Sequence, residues 1–160
     1  MYPPPHLPNS QEVVILSAAR TPVGKFQGAL ASVSAPQLGV TAATAAISRS
    51  GLKPSDIEEV FMGQVISGGV GQAPARQVAI GSGCPTSTEA TTINKVCASG
   101  MKSVIFAAQT LQLGNREVML AGGMERYKTP TGIINVVCLR FRCIFHGGMS
   151  MGILLSRTEF

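Results

Sequence analysis

Apolar residues in this chain come in short unbroken runs, and between the runs they recur at helical spacing. Val13-Val14-Ile15-Leu16, Val60-Phe61-Met62 and Val118-Met119-Leu120-Ala121 are continuously apolar, the pattern of strands covered on both faces. The β-branched Thr91-Thr92-Ile93 marks another strand within Glu89 to Val96. The predicted strands are therefore 12–18, 60–66, 89–96 and 117–121. Between them, Pro36 opens a helix over 37–49 whose face is Leu38, Thr41, Ala42, Ala45 and Ala46, and Gly51 stands where a helix would stop. The glycine-rich stretch Ser67 to Gly71 leads into a short helix over 73–80. Met101, Val104, Ile105, Ala108 and Leu111 predict a long one over 97–113. Ser55 and Glu58 have capping-box spacing.

Strands alternating with helices imply right-handed βαβ crossovers and a mainly parallel sheet, an α/β layered fold. Three segments follow: residues 1–11 as a flexible, proline-rich leader, 12–125 as the patterned body, and 126–160 as a tail with neither helical nor alternating rhythm. The tail is expected to specify no structure of its own and to leave the sheet without a fifth strand. Its charge differs too. Up to residue 125 the chain carries eight Lys/Arg against seven Asp/Glu, and beyond it five against one, so most of the net charge of +5 belongs to the tail. No basic run with interleaved aromatics points to nucleic acid, and no apolar stretch reaches the ~18 residues of a membrane span.

The residue with the clearest chemistry is Cys97, where a strand gives way to a helix in Asn94-Lys95-Val96-Cys97-Ala98-Ser99-Gly100-Met101-Lys102-Ser103. Unpaired N–H groups and the positive end of the helix dipole favour an anion there, hence a thiolate. Ala98, Ser99 and Gly100 add no bulk that would hinder a flat thioester. A buried inert cysteine is the plain alternative. Cys84, before Pro85, reads as incidental. Cys138, Cys143 and His146 are three potential zinc ligands without a fourth or a paired CxxC, so no metal is expected. The glycines of Gly69-Val70-Gly71 and Gly81-Ser82-Gly83 lack nucleotide-binding spacing and read as loops. His6, among prolines, has no identifiable partner. With no secretory signal and irregular cysteine spacing, reduced thiols in a cytoplasmic protein are expected, or a mitochondrial one if a presequence lies outside this sequence.

The Cys97 decapeptide resembles the nucleophile motif of the thiolase family, most closely its acetoacetyl-CoA thiolases, the acetyl-CoA acetyltransferases. Ser17-Ala18-Ala19-Arg20-Thr21-Pro22-Val23-Gly24 is similar to that family's opening strand and turn. Gly71-Gln72-Ala73-Pro74-Ala75-Arg76-Gln77 is similar to the lead-in of its second helix, and Ala121-Gly122-Gly123-Met124-Glu125 to its fourth strand. The resemblance runs from Glu12 to Glu125. It implies a thiolase-like partial N-terminal half, βαβαβαβ, and acetyl transfer between CoA thioesters through an acetyl-cysteine on Cys97, whose own N–H contributes to an oxyanion hole. Acetyl-CoA and acetoacetyl-CoA are then the substrates, and no cofactor is needed. It also implies a homo-oligomer, if the chain is completed, formed through the third strand. The family's Asn-Glu-Ala-Phe, Gly-His-Pro and Cys-x-Gly-Gly-Gly motifs, which supply the base and second cysteine, do not occur in these 160 residues. The chain alone is thus expected to be inactive. The alternative is a non-catalytic fragment that misfolds or pairs with a full-length subunit.

Overall fold

The computed structural model describes residues 12–25, 27–126 and the main chain of 150–157. Strand β1 is Val13–Arg20, α1 Ala35–Ser50, β2 Glu59–Gly63, α2 Pro74–Gly81, β3 Glu89–Ile93, α3 Ser99–Gln112, β4 Val118–Met124 and β5 Ser150–Arg157. They form one sheet in the order β1-β5-β4-β2-β3. The β2 strand lies parallel to both β3 and β4, with Gly63 level with Ile93 on one side and Gly123 on the other. Strand β5 runs antiparallel to β1 and to β4.

That fifth strand corrects the expectation that the tail would leave the sheet unfinished. Residues 150–157 lack alternation for a physical reason: a strand with neighbours on both sides and layers on both faces has no polar side to show, so Met151 to Leu155 reads as a plain apolar run. A register shift in β1 between Ile15 and Ser17 places one extra residue opposite β5.

Two apolar clusters lie on opposite faces, as the alternation of side chains along a strand requires. Val60, Met62 and Leu120 join Ala43 and Ile47 of α1 and Val78 and Ala79 of α2. Met119 and Ala121 join Ala107 and Leu111 of α3, with Phe61 packed against them. Helix α1 begins with a capping box that the sequence reading did not identify: Gln37 N–H donates to Ser34 Oγ at 3.3 Å and Ser34 N–H to Gln37 Oε1 at 2.9 Å. Gly51 ends it in the left-handed region at φ 79°. The expected box at Ser55 does not form. Residues 54–56 make a single 3₁₀ turn, and the Glu58 carboxylate instead accepts the N–H groups of Glu117 and Val118.

Helix α3 turns a different face to the sheet from the one its apolar spacing suggests. Gly100, Ser103, Ala107 and Leu111 are buried, whereas Met101 is 51% and Ile105 41% exposed. Small residues win the inner face because they let the helix axis approach the strands, and the Ser103 hydroxyl donates to Ser99 C=O at 3.0 Å. Among the described residues no helix is long and apolar enough to cross a membrane.

Candidate active site

The parallel strands β2, β3 and β4 end side by side, and Cys97 sits in the link that leaves β3 and enters α3. Both elements are shorter than the pattern predicted. Strand β3 stops at Ile93 rather than Val96, and α3 starts at Ser99 rather than Cys97. Side chains cause this by capturing the amides that would have continued the ladder. Asn94 Oδ1 accepts Val96 N–H at 3.0 Å, and Ser99 Oγ accepts Lys95 N–H at 2.8 Å while donating to Val96 C=O at 2.6 Å. Ala98 N–H and Ser99 N–H then close onto the carbonyls of Lys95 and Val96 at 3.0 and 3.1 Å. Val96 is held at φ 48°, a left-handed conformation that a β-branched residue seldom adopts. Strain of this kind, about 1–3 kcal/mol, persists only where surrounding bonds enforce it.

The thiol of Cys97 emerges exposed from this turn. The amides of Ala98 and Ser99 are engaged within the turn, so α3 offers an anion only its later N–H groups and its dipole. Cys84, by contrast, is buried in the cluster beneath α1 and α2, 5% exposed, with its sulfur 3.7 Å from Ser82 Oγ; burial pushes its thiol up from the usual range. The two cysteines therefore differ in access. His6, Cys138, Cys143 and His146 lie outside the described residues.

The small residues beside Cys97 have a use other than admitting a ligand. A Cβ on Gly63 would stand 2.4 Å from Gly100 N and Ser99 C, and one on Gly123 would stand 2.9 Å from Gly100 Cα. Gly63, Gly100 and Gly123 thus bring the first turn of α3 directly onto the strand ends, and Ser99 and Gly100 are themselves buried. Spacing did not reveal this, although a glycine at a strand terminus is a signal of close backbone approach.

Strand β2 ends at Gly63 instead of Ile66 for a related reason. Glu125, 3% exposed, accepts Val65 N–H at 2.7 Å and Ile66 N–H at 3.3 Å, which draws both residues out of the ladder. Burial pushes its carboxyl above the usual range, opposed by those amides. The folded protein therefore binds this proton more tightly than the unfolded chain. Stability falls as pH rises through a window that opens near the unfolded value of about 4.3 and closes at the raised folded one. Glu125→Gln removes the titration, so wild type should lose ground relative to the variant across that window. Urea midpoints between pH 4 and 7 test this, and a wild-type advantage growing with pH would contradict it.

At the opposite ends of the same strands lies an open cleft of about 250 Å³, where Arg116 bridges Glu59 at 3.2 Å and Glu89 at 2.8 Å. Its carboxylates are occupied by that bridge and by backbone amides, and it is remote in topology from Cys97.

The sheet thus places an exposed cysteine where a parallel strand passes into a helix. Residues 13–135 match the family described as thiolase, N-terminal domain, and the chain belongs to that family. It is 58% identical over 114 residues to acetyl-CoA acetyltransferase B, mitochondrial, of Xenopus laevis, covering 71% of this chain and 27% of that protein. It is 58% identical over 119 residues to the acetyl-CoA acetyltransferase of Yarrowia lipolytica, covering 74% and 30%. The crystal structure of Acat5 thiolase from Ascaris suum in complex with coenzyme A superposes with a TM-score of 0.71 at 43% identity, covering 81% of this chain and 35% of that one. The chain thus spans under a third of the length of the curated relatives it matches. Those relatives are enzymes, and the sheet described above is a partial thiolase fold.

Proposed function

We propose that this chain is the acyl-accepting part of an acetyl-CoA acetyltransferase and that Cys97 is its nucleophile. The observation that carries the reading is the exposed Cys97 thiol, held by a strained turn whose Lys95, Val96, Ala98 and Ser99 amides are hydrogen-bonded, at the ends of parallel strands and inside the family-matched region. The sulfur attacks the carbonyl of acetyl-CoA, the carbon–sulfur bond to CoA breaks, and CoA leaves as its thiol while Cys97 carries the acetyl group. In the second half-reaction a second acetyl-CoA loses an α-proton, its carbon attacks the acetyl-cysteine, and acetoacetyl-CoA is released with the cysteine restored. That half needs a base and enolate donors. The family motifs for these groups are not among the 160 residues, so this chain supports acylation and not condensation.

Relatives named mitochondrial favour that compartment over the cytoplasmic expectation. Strand β3 is an edge of the sheet, which favours the family-like subunit contact and, equally, the alternative of a fragment pairing with a complete subunit. Incubation with acetyl-CoA followed by peptide mass spectrometry tests the reading. One acetyl group, labile to hydroxylamine, is expected on Cys97 and none in Cys97→Ala, with no acetoacetyl-CoA formed. Acetylation that survives in Cys97→Ala would overturn it.

A further inference from the structure

Glu125 and Cys97 are 28 positions apart in the chain, yet an unbroken series of hydrogen bonds joins the buried carboxylate to the cysteine turn. Glu125 accepts Val65 N–H at 2.7 Å and Ile66 N–H at 3.3 Å. Val65 C=O accepts from Asn94 Nδ2 at 3.3 Å, and Asn94 Oδ1 accepts Val96 N–H at 3.0 Å. Ile66 C=O is fixed separately by Gln64 Nε2 at 3.1 Å. Each half of the Asn94 amide is thereby given a partner, which sets the orientation of its ring of bonds around the residue before Cys97. Without an anchored Val65 carbonyl, Asn94 would be a solvent-exposed side chain with one local bond and free rotamers.

We infer that Glu125 is a positioning residue for Cys97: it fixes the Val65–Ile66 segment, that segment orients Asn94, and Asn94 holds Val96 in the left-handed conformation that presents the thiol. This deepens the proposed role of Cys97 and rests on it, but the coupling itself is independent of acyl transfer. A carboxylate suits the task because both of its oxygens accept, and two converging N–H groups need two acceptors. Glutamine has the same shape with one acceptor, and its NH₂ would face an N–H donor. The Val65–Ile66 segment would then shift, Asn94 would lose its anchor, and Val96 would relax towards ordinary φ values.

The test is the second-order rate of iodoacetamide alkylation at Cys97, read by peptide mapping in wild type, Glu125→Gln, Asn94→Ala and the double variant, with circular dichroism to compare their folded fractions. Each single variant should slow alkylation about fivefold, in the range by which residues remote from a site modulate it. The double variant should be no slower than either single one, because both break one series of bonds. Hydrogen exchange at the Val65 and Ile66 amides should accelerate in Glu125→Gln. Wild-type alkylation in Glu125→Gln, or independent effects that multiply in the double variant, would overturn the inference. If Glu125→Gln fails to fold, Asn94→Ala decides alone: the residue is exposed and its loss leaves no buried group unpaired, so an unchanged Cys97 rate there refutes the coupling. Because alkylation needs no thioester, failure of Cys97 to take acetyl from acetyl-CoA would strike the proposed function and leave this result standing.

Discussion

Gly63→Ala should remove about 3 kcal/mol or more of folding stability, at the upper end of what an added methyl group does in a packed interior. The methyl would meet Gly100 N and Ser99 C, both at 2.4 Å, and these are backbone atoms rather than the ends of side chains that could swing aside. Relief requires α3 to withdraw from β2 by about 1 Å, since ordinary carbon contacts fall at about 3.5–4.0 Å. That withdrawal opens the contacts of Ala107 and Leu111 with Met119 and Ala121, which are the core on that face. It also moves the turn that presents Cys97, and a misplacement of about 1 Å near a reacting atom can cost about a hundredfold in rate. Urea denaturation measures the first effect and the rate of Cys97 acetylation the second. Gly68→Ala is the control: nothing lies within 4 Å of its added carbon, so its stability should stay within about 1 kcal/mol of wild type. Equal midpoints for Gly63→Ala and Gly68→Ala would show that the helix start does not rest on the strand ends.

The contrast between Gly63 and Met101 shows which parts of this structure the sequence discloses. Continuous apolar runs located β1, β2 and β4, and the strand–helix alternation gave the parallel β2, β3 and β4 arrangement, because burial on both faces leaves a direct compositional trace. Cys97 was legible as a strand-to-helix residue for the same reason. The face of α3 was misread because hydropathy weights Met101 and Ile105 above Gly100 and Ser103, whereas close approach to a sheet selects for small size. The ends of β2 and β3 were placed three residues too far along. What stops them is Glu125, Asn94 and Ser99 taking backbone amides, and one such capture reaches across 60 positions, so local pattern holds no record of it. Asn94 was recoverable in principle, as asparagine commonly bonds the amide two residues on. Residues 150–157 lack periodicity, and the unbroken apolar run Met151 to Leu155 is what an internal strand presents.

Leu154→Pro puts that last point to the strongest test and should abolish the cooperative unfolding transition. In β5, Leu154 is level with Ser17 of β1 on one side and Leu120 of β4 on the other, so a proline there loses an N–H from the interior of the sheet and sets its ring against a neighbouring strand. The damage is not confined to one bond. Strand β1 stands at the edge of the sheet and reaches β4 only through β5, so unseating β5 releases the strand that anchors α1. Arg49 and Ser17 then lose their cross-links, the bond from the Arg49 guanidinium to Ala18 C=O at 3.1 Å and that from the Ser17 hydroxyl to Ala46 C=O at 2.6 Å. Proteins of ordinary stability have about 5–15 kcal/mol to lose, and the loss of an internal strand with its edge neighbour takes most of that. Leu154→Val retains the N–H and carries a side chain suited to strands, so it should unfold with a transition close to wild type. Differential scanning calorimetry of the two variants separates the outcomes. A sharp transition in Leu154→Pro at the wild-type temperature would mean that residues 150–157 contribute nothing to the sheet, which is what their lack of alternation first suggested.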